Sequence, residues 1–331
     1  MHMETSNPVK KEPKQRRHAR FQHPGVPYHI ISKTIRGEFL LAPKKDVERI
    51  CLGIVAKAQD NWPKVKLYAA AFMSNHIHMM ASGPSCDLSE FVGLIKREIS
   101  RRLGQKYNLP GPFWDSRFTS TALPTIESQE SCLAYILSQG VKENLVEDPT
   151  QWPGLHCAKA MARKKPLVGA WFNATKYHNA VRQQKVAKSP KRKRVRKSEF
   201  YQEMEIQFTP IPSWSTLTKT EQIQKAKRLI AKIVAAAKAK RKTTHVRVLG
   251  LKAIRRIPIS KRSSPKPPPW WQKRRRQITA WAKLSDKITQ QYLQLYWTFQ
   301  AEFRIASVQL KNGSKSIFPR NAWAPARYLP A

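Results

Sequence analysis

Apolar residues fall into two regimes along this chain. In the first half, short runs of β-branched and aromatic residues alternate with amphipathic stretches, and turn formers separate them. After Pro27, the run Tyr28-His29-Ile30-Ile31-Ser32-Lys33-Thr34-Ile35 reads as a strand. Val47, Ile50, Ile54 and Val55 then recur at helical spacing beyond Pro43-Lys44-Lys45-Asp46. Trp62-Pro63 marks a turn before a strand over 65–73, and Ser74-Asn75 a second turn before a strand through Met80, so these two form a hairpin. Asp87 and Glu90 resemble a capping box opening a helix whose apolar face is Leu88, Phe91, Leu94, Ile95 and Ile99. A break at Gly111-Pro112 precedes a short strand over 119–123, and Ser128 is placed to cap a helix over 130–139 that Gly140 ends in a left-handed turn. The order β, α, β, β, α, β, α predicts an α+β fold, with an antiparallel sheet and helices packed on one face of it.

The second half has a different character. Residues 219–242 form a strong helical pattern with Leu229, Ile230, Ile233 and Val234 on one side. A last helix over 286–308 carries Tyr292, Leu295, Tyr296, Phe299 and Phe303 as a stripe whose helical spacing suits packing better than base stacking. Charge separates the regions further. The net charge is +41, yet residues 23–150 hold only +2 of it and residues 186–284 hold +24. The predicted organisation is therefore a basic arm (1–22), a catalytic-type domain (23–157), a basic linker (158–218) and a basic, mainly helical extension (219–331). Such a balance calls for a polyanionic partner, with nucleic acid the first choice. Four cysteines without a C-x-x-C pair argue against a zinc ribbon or disulfide scaffold and for a reducing compartment. No apolar run is long enough to span a bilayer, and a cytoplasmic, nucleoid-associated protein is expected.

Candidate chemistry centres on His76-Ile77-His78. Residues two apart on a strand share a face, so two imidazoles project side by side toward a divalent metal. Alone the pair proves little. Tyr135 and Gln139, four apart on the predicted helix, add a phenol able to act as a nucleophile and an amide oxygen able to join a metal shell. A buried aromatic with a satisfied hydroxyl is the ordinary alternative for Tyr135. His29 and His156 have no partner at ligand spacing and read as ordinary histidines. Lys96, Arg97, Arg101 and Arg102 lie away from their helix's apolar face, as a phosphate-contacting stripe or a solvated surface.

Several motifs stand in one order: Tyr28 to Thr34, Met73-Ser-Asn-His-Ile-His-Met79, Gly111-Pro-Phe-Trp-Asp-Ser-Arg-Phe118, Tyr135 to Val146 and Trp152-Pro153. With them the chain resembles the single-tyrosine HUH transposases, most of all the REP-associated tyrosine transposases with their IS200-like domain. The resemblance implies His76, His78 and Gln139 as ligands of Mg²⁺ or Mn²⁺, and Tyr135 as the nucleophile that cleaves single-stranded DNA through a 5′-phosphotyrosine. Where many relatives have Asn-Pro, this chain has Gln139-Gly140. It also implies a hairpin-forming palindromic DNA partner and a protein working as a monomer, with a dimer the alternative. Candidate DNA contacts are Lys96, Arg97, Arg101, Arg117, Lys191, Arg192, Lys193, Arg194, Lys273, Arg274, Arg275 and Arg276, the last four near Trp270, Trp271 and Trp281. A catalytically inactive or domesticated DNA- or RNA-binding protein is the alternative from another class, and a relaxase a third.

Overall fold

The computed structural model describes residues 18–84, 86–163, 165–186, 195–262, 280, 286–320 and 322. They fall into two compact units, one of the described residues within 22–293 and one of the described residues within 1–21 and 294–331. The basic clusters 191–194 and 273–276 lie outside the described residues.

The larger unit is built on a four-stranded antiparallel sheet in the order β2-β3-β1-β4. Its strands are β1 (Tyr28–Lys33), β2 (Lys66–Phe72), β3 (His76–Ser82) and β4 (Thr119–Ala122). β2 and β3 form the expected hairpin, and β1 lies against β3 with Ile31 opposite His78 and Lys33 opposite His76. The Gly111–Phe118 motif extends this edge: Ile35 N donates to Phe113 O and Asp115 N to Lys33 O.

Both faces of the sheet are buried, not one. Ala69, Ala71 and Met80 share a core with α3 (Ile126–Leu137), while Ile30, Ile77 and Met79 on the opposite face are equally inaccessible. Helices α1 (Lys45–Asn61) and α2 (Asp87–Tyr107) pack on each other and bury Ile54, Val55, Phe91 and Ile95. Two helix starts differ from expectation. Asp87 is the first residue of α2 rather than its cap, because the chain enters through a tight turn in which Asp87 N donates to Pro84 O. Cys86, at the cap position, already has helical backbone angles. For α3 the cap is Thr125, with Ser128 three residues on returning the bond in a reciprocal capping box.

Where the sequence reads as linker, the chain folds. α4 (Cys157–Arg163) packs on β2, and β5 (Leu167–Phe172) pairs antiparallel with β6 (Tyr201–Ile206), with α5 (Ala174–Val186) between them. The apolar residues 167–172, inside the span read as a basic linker, find a partner 29 to 39 positions away, which no local pattern announces. β5 crosses α1 backbone to backbone: a Cβ on Gly53 would stand 2.2 Å from Ala170 O. Arg102 clamps the crossing, donating to Phe172 O and stacking 4.1 Å from the Trp171 ring centre.

α6 (Lys219–Thr244) follows, and α7 (Leu251–Arg256) after it; Ala226, Ile230 and Ile254 belong to the same core as α3. α8 (Lys287–Lys311) runs from the larger unit into the smaller. In the smaller unit Gln300 brackets the backbone of Ala19 with two hydrogen bonds, 2.9 and 2.7 Å, and Phe21 packs on Phe299. Residues 18–21 of the expected basic arm are thus held, by the aromatic stripe read from the sequence.

Candidate active site

Strand alternation sets the site's floor. Because Ile31 pairs with His78, the side chains of His29, Ile31 and Lys33 stand on the face that carries His76 and His78. The His76 and His78 rings lie 4.7 Å apart at 82°. Each has its Nδ1 occupied: His76 Nδ1 meets Asn75 Oδ1 at 2.7 Å, and His78 Nδ1 meets His29 Nε2 at 3.0 Å. Both Nε2 atoms are thereby the ring nitrogens left over for another partner.

α3 brings the remaining groups. The Tyr135 ring stands edge-on to His78, 5.4 Å between centres, and 5.8 Å from His29. α3 ends at Leu137, so Gln139 sits in the following turn rather than within the helix. Its side chain still reaches back four residues, Nε2 donating to Tyr135 O at 3.1 Å. Gln139 is fully buried; its side chain acts on His76, and its Oε1 makes no other hydrogen bond among the described residues. A buried amide oxygen in that state is costly unless it accepts a hydrogen bond or coordinates an ion. Gly140, at φ +82°, lets the turn double back; Trp152 fills the space above it, with its indole N–H anchored on Phe72 O at 3.0 Å.

The electrostatics favour neutral imidazoles. Burial pushes His76 down to about 4, with Lys33 and Lys142 adding to the effect and the Gln139 side chain opposing it. Burial and Lys142 also lower His29 to about 4. His78 is held well below the ordinary value by burial and then by its histidine neighbours. Neutral imidazole is the ligating form. Among the described residues no group of three or more His, Cys, Asp or Glu side chains is placed to hold a metal, so an ion here would rely on the two imidazoles and an amide oxygen.

The four residues singled out in the sequence, His76, His78, Tyr135 and Gln139, therefore come together. Three more join them. His29, read as an ordinary histidine, contacts His78; its two-residue spacing from Ile31 was visible, but the register that brings it to His78 was not. Lys33 faces His76 by the same register. Lys142 places its ammonium 3.6 Å from the Tyr135 ring centre, beyond the end of the helix whose periodicity could have located it. The expected basic stripe on α2 is partly spent on internal bonds. Lys96 donates to Ser116 O and Arg101 pairs with Glu98, while Arg97 and Arg117 are exposed.

Residues 23–139 match the family model described as transposase IS200-like. They form an IS200-like transposase domain. The match ends at Gln139, so the transposase domain holds all four of those residues, whereas Lys142 and everything from α4 onward lie outside it. Its family carries the coarse role, that of a DNA transposase. Two solved structures are similar to part of the chain. One is a REP-associated tyrosine transposase bound to a REP hairpin, 19% identical, covering 42% of this chain and 81% of that one at a TM-score of 0.36. The other is a protein assigned as a transposase from Deinococcus radiodurans R1, 17% identical, covering 39% of this chain and 97% of that one at a TM-score of 0.26. No curated protein matches the chain. Among the described residues no helix is long and apolar enough to cross a membrane.

Proposed function

We propose that the chain is a metal-dependent transesterase that cleaves and rejoins single-stranded DNA beside a hairpin, with Tyr135 as nucleophile. The observation that carries this reading is the buried Gln139 side chain, which acts on His76 and whose Oε1 makes no other hydrogen bond among the described residues, next to two imidazoles whose Nδ1 atoms are already engaged. His76, His78 and Gln139 would hold Mg²⁺ or Mn²⁺, which supplies Lewis-acid polarisation of a phosphodiester oxygen. Asn75 accepts from His76 Nδ1 and fixes that ring's tautomer. In the tautomer in which His29 Nε2 accepts from His78 Nδ1–H, His29 does the same for His78 and leaves its Nε2 the lone pair.

In the reaction, the Tyr135 phenolic oxygen forms a bond to phosphorus as the bond from phosphorus to the 3′-oxygen breaks. The phenolic proton leaves, the departing oxygen ends as a 3′-OH, and the 5′-phosphate stays on tyrosine. Attack by another 3′-OH reverses the step without nucleotide hydrolysis. Lys142, stacked on the Tyr135 ring, places a cation beside the nucleophile. All of these groups come from one chain, which supports a monomer.

The test is a denaturing gel. Wild-type protein incubated with a labelled single-stranded hairpin and Mg²⁺ or Mn²⁺ gives a covalent adduct, and Tyr135→Phe gives none while still binding the DNA. Absence of the adduct from wild type overturns the catalytic reading in favour of a binding-only protein.

A further inference from the structure

α6 exposes a series of cations that includes Lys227, Arg228, Lys232, Lys238 and Lys242, and its only acid is Glu221 in the first turn, engaged in the cap with Thr218. At about 100° per residue, Ala226, Ile230, Ile233 and Ala237 point into the core, and the opposite side is Ala231, Ala235 and Ala239. Lys227 and Lys238 flank this alanine strip on one side and Lys232 on the other, while Arg228 and Lys242 stand along it. A solubilising surface mixes signs; this one does not. Arg228 with Lys232, and Lys238 with Lys242, are like-charged pairs four apart, an arrangement that repels within the helix and is relieved by a polyanion.

The helix is also fixed in place. At its start Lys225 bonds Glu130 of α3 at 2.7 Å, and Trp214 donates to the same oxygen at 3.0 Å. Beyond its end, Leu249 N donates to Asn144 O and Gly250 N to Leu145 O, in the turn that follows Gln139. α6 is thereby tied at both ends to the segment bearing Tyr135 and Gln139.

We propose that the outer face of α6 is a rail for the phosphates of a DNA duplex stem, holding a hairpin at a set distance from Tyr135. Residues 227–242 span about 22 Å at about 1.5 Å per residue, enough to meet several phosphates of a duplex that carries one charge per about 1.7 Å of axis. The small alanines let the helix come close while the longer side chains reach along it and to either side. The partner class rests on the DNA reading above, but the rail itself does not require that Tyr135 be catalytic.

The experiment uses the full chain with Lys227→Gln, Arg228→Gln, Lys232→Gln, Lys238→Gln and Lys242→Gln combined. Binding of a fluorescent DNA hairpin is followed by anisotropy across a salt series. Each phosphate that the variant no longer neutralises lowers the slope of log affinity against log salt by about 0.9. The expected result is a slope smaller by about 2 or more and an affinity at least about 10-fold weaker at about 0.1 M salt. Adduct formation on a short oligonucleotide without a stem stays within about twofold of wild type, and circular dichroism shows the helix retained. An unchanged slope overturns the rail. So does an equal loss in a control with Lys45→Gln, Lys64→Gln, Lys66→Gln, Lys176→Gln and Lys287→Gln, which shows that net charge alone is at work. So does a loss confined to an RNA hairpin. If wild type forms no adduct yet the slope falls as expected, the rail stands and the catalytic reading fails.

Discussion

Replacing Gly140 with alanine tests how tightly the Gln139 turn is built. The backbone there has φ +82°, where an L-residue costs about 1–2 kcal/mol. The new methyl would meet Trp152 Cε3 at 3.2 Å and Val146 Cγ2 at 3.3 Å. Trp152 cannot swing clear without giving up its bond to Phe72 O, so overpacking of about 1–3 kcal/mol adds to the strain. A total near about 2–4 kcal/mol is expected, roughly 5–15 °C in Tm at about 2–4 °C per kcal/mol for a large domain. Gly140→Asn, which tolerates the left-handed region better but adds a Cβ all the same, should lie between wild type and Gly140→Ala. Thermal unfolding followed by tryptophan fluorescence gives Tm, and titration with Mn²⁺ followed by its paramagnetic resonance gives ion affinity, which should weaken as Gln139 is displaced. A shift below about 2 °C with unchanged Mn²⁺ binding refutes the reasoning, because it would mean that the turn accommodates a side chain freely.

Gly53→Ala should be more damaging, since a Cβ 2.2 Å from Ala170 O forces α1 and β5 apart, whereas Gly93→Ala, with nothing within 4 Å, should stabilise α2 by about 0.5–1 kcal/mol; chemical denaturation separates the two. His156, completely enclosed, is lowered by burial from 6.5 to about 4 although the backbone of Gln139 and Ile136 pulls the other way. The unfolded chain binds a proton there first as pH falls, so stability present above about 6.5 is lost progressively down to about 4. His156→Asn, which keeps an acceptor for Ala158 N, should flatten that acid limb by up to about 3 kcal/mol, read from denaturation midpoints across the window.

Much of the core was legible because local signals agree there. The apolar runs of β1, β2 and β3, the hairpin at Ser74-Asn75 and the helical spacing of α1, α2 and α3 each follow from residues close together in the chain. His76 and His78 were legible as a pair for the same reason, since alternation on one strand needs no partner. His29 and Lys33 were not, because their place beside that pair depends on the β1–β3 register, which joins strands far apart in sequence at His29–Met80 and Lys33–His76. β5 and β6 were missed for a related reason. Charge made 158–218 read as a basic linker, and the glycines at the α1 crossing, Gly53 and Gly169, carry meaning only once the two backbones meet. The start of α3 differs more simply: Thr125 is the cap and Ser128, three residues on, returns the bond, so both belong to one local box.

The core beneath Tyr135 draws on residues from far beyond the matched domain: Ile211, Trp214, Ala226, Ile230 and Ile254 lie in one cluster with Cys132, Leu133 and Ile136. Modularity is therefore limited in this protein. A boundary drawn after residue 139 or 157 would cut through a shared interior and leave the underside of α3 bare. The later segments are not independent attachments: a substitution at Ile230 is a change to the interior behind the candidate site.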